Sequence, residues 1–464
     1  MRRLAGEDSQ FIFQESRVQH QHTMKIVVVD PAGAHRALTY ERFRQGIGEM
    51  IPHTEPFRWR LVMVPLRLGH PYWIDDPDLD LDYHVQRARV PGAGGRRELA
   101  EVISTIASVG LQRDRPLWQA WMVDGLEGGL IAFVMKVHHA LADGVSSAQL
   151  LLDLLSDSPE PMPEPQPLVL LEREAPPARL RLLASAAGDI GHEVTRLPAL
   201  AGSVRRWASA ASGQRKDRRQ DIARSFTVPK MRWNAPLTPH RWFAYDTISL
   251  TALKAVKDRL GVTVNDVFLA TVAGGCRRYL QAHGELPDVG LTVSIPVSTR
   301  PPDQTRRWGN RMTTWMIDLA TDIDDPVERV QAISAKTLGA RRAREERGNA
   351  LQHDLMQRWP LWTLLGNWLP RAVVASGDKA TYSLIASNVP GPRVPLYADG
   401  ARVTDVISMG PLVKDLGLNF TGWSYCDNFT IGVVACHEHV PDIWDLLDAT
   451  VDAFDELTAL ARSR

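Results

Sequence analysis

The sequence predicts an α/β protein built as two layered domains, and three observations lead there. At 464 residues the chain exceeds what one ordinary hydrophobic core organises. Helical and strand periodicities are interspersed in both halves rather than segregated. Between the halves, Pro159, Pro161, Pro163, Pro165, Pro167, Pro176 and Pro177 crowd a stretch rich in acids. Neither a helix nor a central strand tolerates that density, so the stretch reads as a crossover linker. The expected boundaries are a first domain over 1–155, a linker with basic amphipathic helices over 156–235, and a second domain over 236–464. No internal repeat relates the two halves.

Taken in order, the chain alternates apolar and polar residues over 24–29 and 60–64, as strands do, and has helical spacing over 98–111. Residues 130–137 place Ile131, Phe133, Met135 and Val137 on one strand face, and the same parity puts His139 there. Val145, Ala148, Leu152 and Leu155 then recur at helical spacing, with Asp143 or Ser146 available as a cap. Residues 178–212 read as basic helices broken near Pro198. Beyond Pro236, Leu253, Val256 and Leu260 form a helix face that Gly261 stops. Thr263-Val264-Asn265-Asp266 starts another helix, which continues to Tyr279. Leu291, Val293, Ile295 and Val297 alternate as a strand ending at Ser298-Thr299-Arg300. Further strands are expected over 382–387 and 429–436. A closing helix follows Pro441-Asp442, with Ile443, Leu446, Leu447, Val451, Phe454 and Leu457 inward.

Composition narrows the function. Formal net charge is zero, which removes a global electrostatic case for nucleic acid. The runs 215–224 and 341–347 are basic but interleaved with acids, as on a solvated helix face. Cys276, Cys426 and Cys436 are too few and too scattered for a disulfide framework, so a reducing, cytoplasmic compartment is expected. No signal peptide and no apolar stretch of membrane-spanning length is visible. A soluble or peripheral protein is therefore expected.

The chemistry concentrates in Lys136-Val137-His138-His139-Ala140-Leu141-Ala142-Asp143-Gly144, where two adjacent imidazoles end a strand and a carboxylate begins a helix. An imidazole near its ordinary pKa is suited to remove a hydroxyl proton at neutral pH. Such a base contributes roughly 10²–10⁴-fold to transfer of an acyl group onto an alcohol. Asp143 could orient the ring, or hold the loop by capping and by pairing with an arginine; the backbone donors of a helix start favour the second. Gly144 would relieve strain where strand becomes helix. On these residues alone, two core histidines with satisfied hydrogen bonds remain an alternative. A metal site would need more ligands, and Cys436-His437-Glu438-His439 is poorly built for it because neighbours on a strand face opposite ways. No Gly-x-Ser-x-Gly elbow of a serine hydrolase is present.

His138-His139-Ala140-Leu141-Ala142-Asp143-Gly144 resembles the HHxxxDG signature of the coenzyme-A-dependent acyltransferase superfamily. The surroundings resemble the bacterial wax ester synthase/diacylglycerol acyltransferases more narrowly. Pro116-Leu117-Trp118 looks like their PLW element, Asn265-Asp266 like their ND element, and Ile295-Pro296-Val297-Ser298-Thr299-Arg300 like their (V/I)PVSxR strand. Trp308-Gly309-Asn310, Ser387-Asn388-Val389-Pro390-Gly391-Pro392, and Asp80 with His84 in a run from Trp73 are also similar, in family order from about Asp8 to Asp448. The N-terminal pattern is looser, with Gln19-His20-Gln21-His22-Thr23-Met24 unusually polar.

The resemblance implies two chloramphenicol-acetyltransferase-like domains with the active site in a channel between them. It implies acyl-CoA as co-substrate, no cofactor, no metal, and a hydroxyl-bearing lipid (diacylglycerol or a long-chain alcohol) as acceptor. His139 would be the general base, without an acyl-enzyme. His138 would support the loop, and Asp143 would be structural, paired with Arg300. Asn265 and Ser298 would donate to the tetrahedral oxyanion, although Asn265 at a helix start could simply cap it. Pro116, Leu117 and Trp118, lacking a group for proton chemistry, would shape the substrate channel or pack the core. The intact motif argues against a catalytically silent lipid-binding homologue. Another thioester donor or another alcohol within the superfamily is the alternative. Residues 358–371 carry Trp359, Trp362 and Trp368 among leucines, flanked by arginines. They suit either a membrane-interface segment or a buried inter-domain element. Attachment to the inner face of the membrane or to lipid bodies is the expected location.

Overall fold

The computed structural model describes residues 1–76, 79–142, 146–147, 150, 153–160, 174–191, 195, 202, 228–299, 308–347, 379–380 and 382–463. In chain order the first half gives α1 (Gly6–Gln14), β1 (His22–Asp30), β2 (Val85–Arg89), α2 (Arg96–Ala107), β3 (Trp118–Asp124) and β4 (Ile131–His138). The second half begins with β5 (Arg241–Ser249), α3 (Leu250–Leu260), α4 (Val264–Ala282), β6 (Thr292–Ser298), β7 (Met312–Asp318) and α5 (Pro326–Arg347). It ends with β8 (Leu384–Val389), β9 (Tyr397–Ala398), β10 (Ala401–Met409), β11 (Leu418–Tyr425), β12 (Asn428–Cys436) and α6 (Ile443–Ser463).

Two six-stranded mixed sheets result, one ordered β9-β10-β1-β4-β3-β2 and the other β7-β6-β8-β11-β12-β5. The α/β class and the two sheet-rich halves expected from periodicity are present. The first sheet is not made from the first half alone. Strand β10 crosses over and pairs antiparallel with β1, from Met409 opposite Met24 to Arg402 opposite Asp30. The alternation in 24–29 identifies β1 as a strand, but no local signal reveals a partner almost four hundred residues away.

Local chemistry sets the elements that frame the site. Gly261 ends α3 in the left-handed conformation at φ 69°, and Thr263 and Asp266 form a reciprocal capping box at the start of α4. Helix α4 packs so closely on α6 that a Cβ at Gly275 would lie 2.1 Å from the Thr450 hydroxyl, so only glycine permits this approach. The second core gathers Phe268, Phe420, Phe429, Ile431, Leu446 and Phe454, all buried. The closing helix buries Ile443, Leu446, Leu447, Phe454 and Leu457 as its periodicity requires, whereas Val451 is only partly buried. The helix expected after Gly144 is present at 146, 147 and 150 but has given way to a turn by Asp153.

Candidate active site

Strand β4 delivers the histidine pair. It lies antiparallel to β1, with His22 opposite His138, and the next pair is closed by the His139 N–H, which donates to the Gln21 carbonyl at 2.7 Å. On the other side the His138 N–H donates to the Leu117 carbonyl at 2.9 Å, so both backbones are fixed before the chain turns away. The two imidazoles are buried, and their environments are opposite.

The His138 ring accepts the Ala140 N–H at Nδ1, 3.0 Å away, so its proton sits on Nε2. That Nε2 has no hydrogen-bond partner and lies 3.8 Å from Glu15. Burial, with Arg113 nearby, lowers its pKa to about 3, so the ring stays neutral and braces the loop. Glu15 itself is held by the Arg113 guanidinium at 2.5 Å.

His139 has the other tautomer, and the reason comes from the second lobe. Its Nδ1 lies 2.9 Å from Asn310 Oδ1. The Asn310 amide nitrogen donates to Asp8 Oδ1 and to the His139 carbonyl, both at 2.7 Å, while the Asn310 backbone N–H also reaches Asp8 Oδ1 at 2.7 Å. A carboxylate only accepts, so Asp8 forces the amide nitrogen toward itself and the amide oxygen toward the ring. Nδ1 therefore carries the proton, and Nε2 keeps its lone pair. Phe11 stacks on the imidazole at 4.2 Å and 17°, fixing its plane. Asp8 and Phe11 both come from α1, three residues apart on one helix face.

The connection from β6 to β7 returns through Trp308-Gly309-Asn310, and its Gly309 N–H donates to the Leu141 carbonyl at 3.1 Å. Gly309 has φ 88°, and a Cβ there would lie 2.9 Å from Asp8 Oδ2, so glycine is required twice over. A cavity of about 410 Å³ opens next to this contact, lined by Arg2, Arg3, Asp8, Trp59, Trp73 and Trp308 among others. It reaches Ala140 and Gly309, but His139 is not part of its lining.

The remaining sequence-selected residues have local contacts of their own. Pro116, Leu117 and Trp118 are all buried. Trp118 donates to the Phe57 carbonyl at 2.9 Å and stacks on Phe57 and His84. They belong to the core that carries β4 and do not line the cavity. Asp80 caps the turn beginning at Leu81 and pairs with Arg115 at 2.6 Å, and His84 binds the Trp118 carbonyl; both are structural. Asn265 sits half-buried in the first turn of α4, while its neighbour Asp266 is consumed by Thr263, Ser334 and Thr337. Ser298 ends β6 opposite Met312 and is exposed. Asn310, Phe11 and Gln21 each contact His139, and sequence reasoning selected none of the three for it. Asp143, Gly144, Arg300 and the tryptophan-rich residues 358–371 lie outside the described residues. Among the described residues no group of three or more metal-ligating side chains occurs, and no helix is long and apolar enough to cross a membrane.

Comparison with known proteins points to one family along most of the chain. Residues 4–268 match the wax ester synthase/diacylglycerol acyltransferase catalytic domain, and residues 308–458 match the WS/DGAT C-terminal domain. A putative diacylglycerol O-acyltransferase of Mycobacterium tuberculosis is 34% identical over 98% of this chain and 90% of its own length. The wax ester synthase/diacylglycerol acyltransferase of Marinobacter aquaeolei superposes with a TM-score of 0.69 at 26% identity, covering 99% of both chains. The first condensation domain of the calcium-dependent antibiotic synthetase has the same fold, with a TM-score of 0.59 at 16% identity over 99% of this chain and 96% of its own. The chain belongs to the wax ester synthase/diacylglycerol acyltransferase family.

Proposed function

We propose that the protein is an acyl-CoA-dependent O-acyltransferase that esterifies diacylglycerol, a long-chain alcohol, or both, with His139 as general base and no acyl-enzyme. The observation that carries this is the Nδ1 anchor on Asn310, which leaves Nε2 of a rigidly held ring as the proton acceptor. The acceptor hydroxyl donates to Nε2 as its oxygen attacks the thioester carbonyl. The tetrahedral intermediate then expels the CoA thiolate, which takes the proton back from the imidazolium. The oxyanion needs donors, and Asn265 and Ser298 are the residues we assign, each worth about 3 kcal/mol if pre-aimed. Asp143 and Arg300 are assigned a structural pair that holds the loop.

Both substrates carry long chains, and each buried methylene contributes about 0.8 kcal/mol to membrane partitioning. We therefore place the enzyme at the cytoplasmic membrane surface or at lipid bodies, with Trp362 and Leu365 of the tryptophan-rich stretch as contacts. Replacing both with serine should weaken liposome binding; unchanged binding by a folded variant would remove that placement. The activity is tested with labelled palmitoyl-CoA against dipalmitoylglycerol and hexadecanol, using wild type and His139→Gln. Ester formation that disappears in the variant is expected, and turnover that survives the substitution would refute the mechanism.

A further inference from the structure

In the polar stretch before β1, Gln21 stands out because no hydrogen bond accounts for its side chain. Gln21 is fully buried, yet neither end of its side-chain amide has a hydrogen-bond partner. Leaving a buried donor or acceptor unmade costs about 1–3 kcal/mol, and a bound ligand is one way that cost is recovered. Its position is specific. The β1–β4 register continued by one pair sets Gln21 opposite His139, and directly opposite residues of an antiparallel pair point to the same face. The unpaired amide thus stands beside the catalytic imidazole.

A second set of unpaired groups belongs to the same place. The Thr23 hydroxyl, on the Gln21 face of β1, donates to the Met409 carbonyl at 2.8 Å, and the Asn419 amide nitrogen donates to the Pro411 carbonyl at 2.7 Å, two residues further on. Asn419 Oδ1 and Thr421 Oγ1, which share one face of β11, are buried and unpartnered. Around residues 409–411 the two lobes therefore bring together two free amide oxygens, one free amide nitrogen and one free hydroxyl. An apolar chain would leave all four unmade. An acceptor whose polar groups are ester carbonyls, once its single hydroxyl is given to His139, could satisfy only the donors. Amide oxygens need donors, and the only ones a lipid alcohol carries are its O–H groups.

Resting on the reading of His139 as general base, we propose that Gln21, with Asn419 and Thr421, selects acyl acceptors that carry a second free hydroxyl next to the reacting one, such as glycerol bearing a single long chain. That second hydroxyl donates to Gln21 Oε1 while the acceptor's oxygens take the amide N–H.

The test compares 1-O-hexadecylglycerol with 1-hexadecanol, in turnover with palmitoyl-CoA and in equilibrium binding followed by tryptophan fluorescence. Wild type should favour the alkylglycerol, and Gln21→Met, similar in volume but without the amide, should lower that preference at least tenfold in both kcat/KM and Kd. Thr421→Val should lower it in the same direction, and Gln21→Met should melt no lower than wild type because it removes an unmade polar group. A preference unchanged within twofold in binding and turnover for both variants would overturn the assignment. If wild type forms no ester with either acceptor or with dipalmitoylglycerol, the acyltransferase reading fails and the binding ratio alone judges Gln21.

Discussion

Removing the Asn310 side chain isolates what the anchor on Nδ1 does. In Asn310→Ala the imidazole keeps its Phe11 stack and its backbone, but the Oδ1 acceptor 2.9 Å from Nδ1 is gone. One neutral hydrogen bond is worth about 0.5–1.5 kcal/mol, so releasing the tautomer alone should reduce the competent population roughly 2- to 13-fold. Loss of ring orientation adds to that. The ceiling is the entire general-base contribution, about 10²–10⁴-fold, which His139→Gln should forfeit. We therefore expect kcat to fall about 10- to 100-fold in Asn310→Ala, less than in His139→Gln. Asp8→Asn tests the same logic without making a cavity. An amide at position 8 no longer dictates which end of the Asn310 side chain faces it. The Asn310 nitrogen can then turn toward Nδ1, place the imidazole proton on Nε2, and disable the base. Ester formation from labelled palmitoyl-CoA is the assay, with melting temperature measured in parallel. Asn310→Ala deprives the buried Asp8 carboxylate and the His139 carbonyl of a donor, so a lower melting point is also expected. A folded Asn310→Ala enzyme with kcat within threefold of wild type would refute the tautomer argument.

Four further outcomes follow. His138→Gln should lower stability yet keep activity within about tenfold, because His138 is neutral and braces Ala140; abolished turnover in a folded variant would make it a participant. Gly309→Ala should destabilise by about 1–3 kcal/mol and reduce kcat, since the new methyl meets Asp8 in a backbone conformation that side chains rarely adopt; a wild-type urea midpoint would contradict this. Stability should fall as pH falls below about 6.5. Burial lowers His20 and His84 to about 4, His138 to about 3 and His22 well below its ordinary value, so the unfolded chain takes up protons that the folded chain refuses. The loss, about 1.4 kcal/mol per histidine per pH unit below 6.5, should level off near pH 3–4, and a urea midpoint equal at pH 7 and pH 5 would count against it. Buried Lys136, lowered to about 7, works in the same direction at higher pH, with stability rising between about 7 and 10.5; Lys136→Met should flatten that part of the curve.

The contrast between His139 and Asn310 shows where sequence reading stops. Period-2 alternation through Val137 is a local property, so it places His139 at the end of a strand, and Gly261, Thr263 and Asp266 announce two helix boundaries by their own chemistry. Asn310 has no such signature. An asparagine after a glycine reads as a turn, and resemblance marks it as a family residue, but its task depends on meeting a ring 171 positions away. The same holds for Asp8, two residues into an N-terminal helix, whose carboxylate orients that asparagine from a third part of the chain. Pro116-Leu117-Trp118 shows the opposite case. The motif is legible, but the sequence leaves channel shaping and core packing both open; Trp118 is fully buried, bound to the Phe57 carbonyl and stacked on Phe57 and His84. A recurring apolar motif beside a catalytic strand can stiffen that strand as readily as it can line a channel, and only the contacts decide. In the mechanism proposed for His139, what the second lobe gives to the imidazole itself is the orientation of one amide, Asn310, set by the Asp8 carboxylate of the first half.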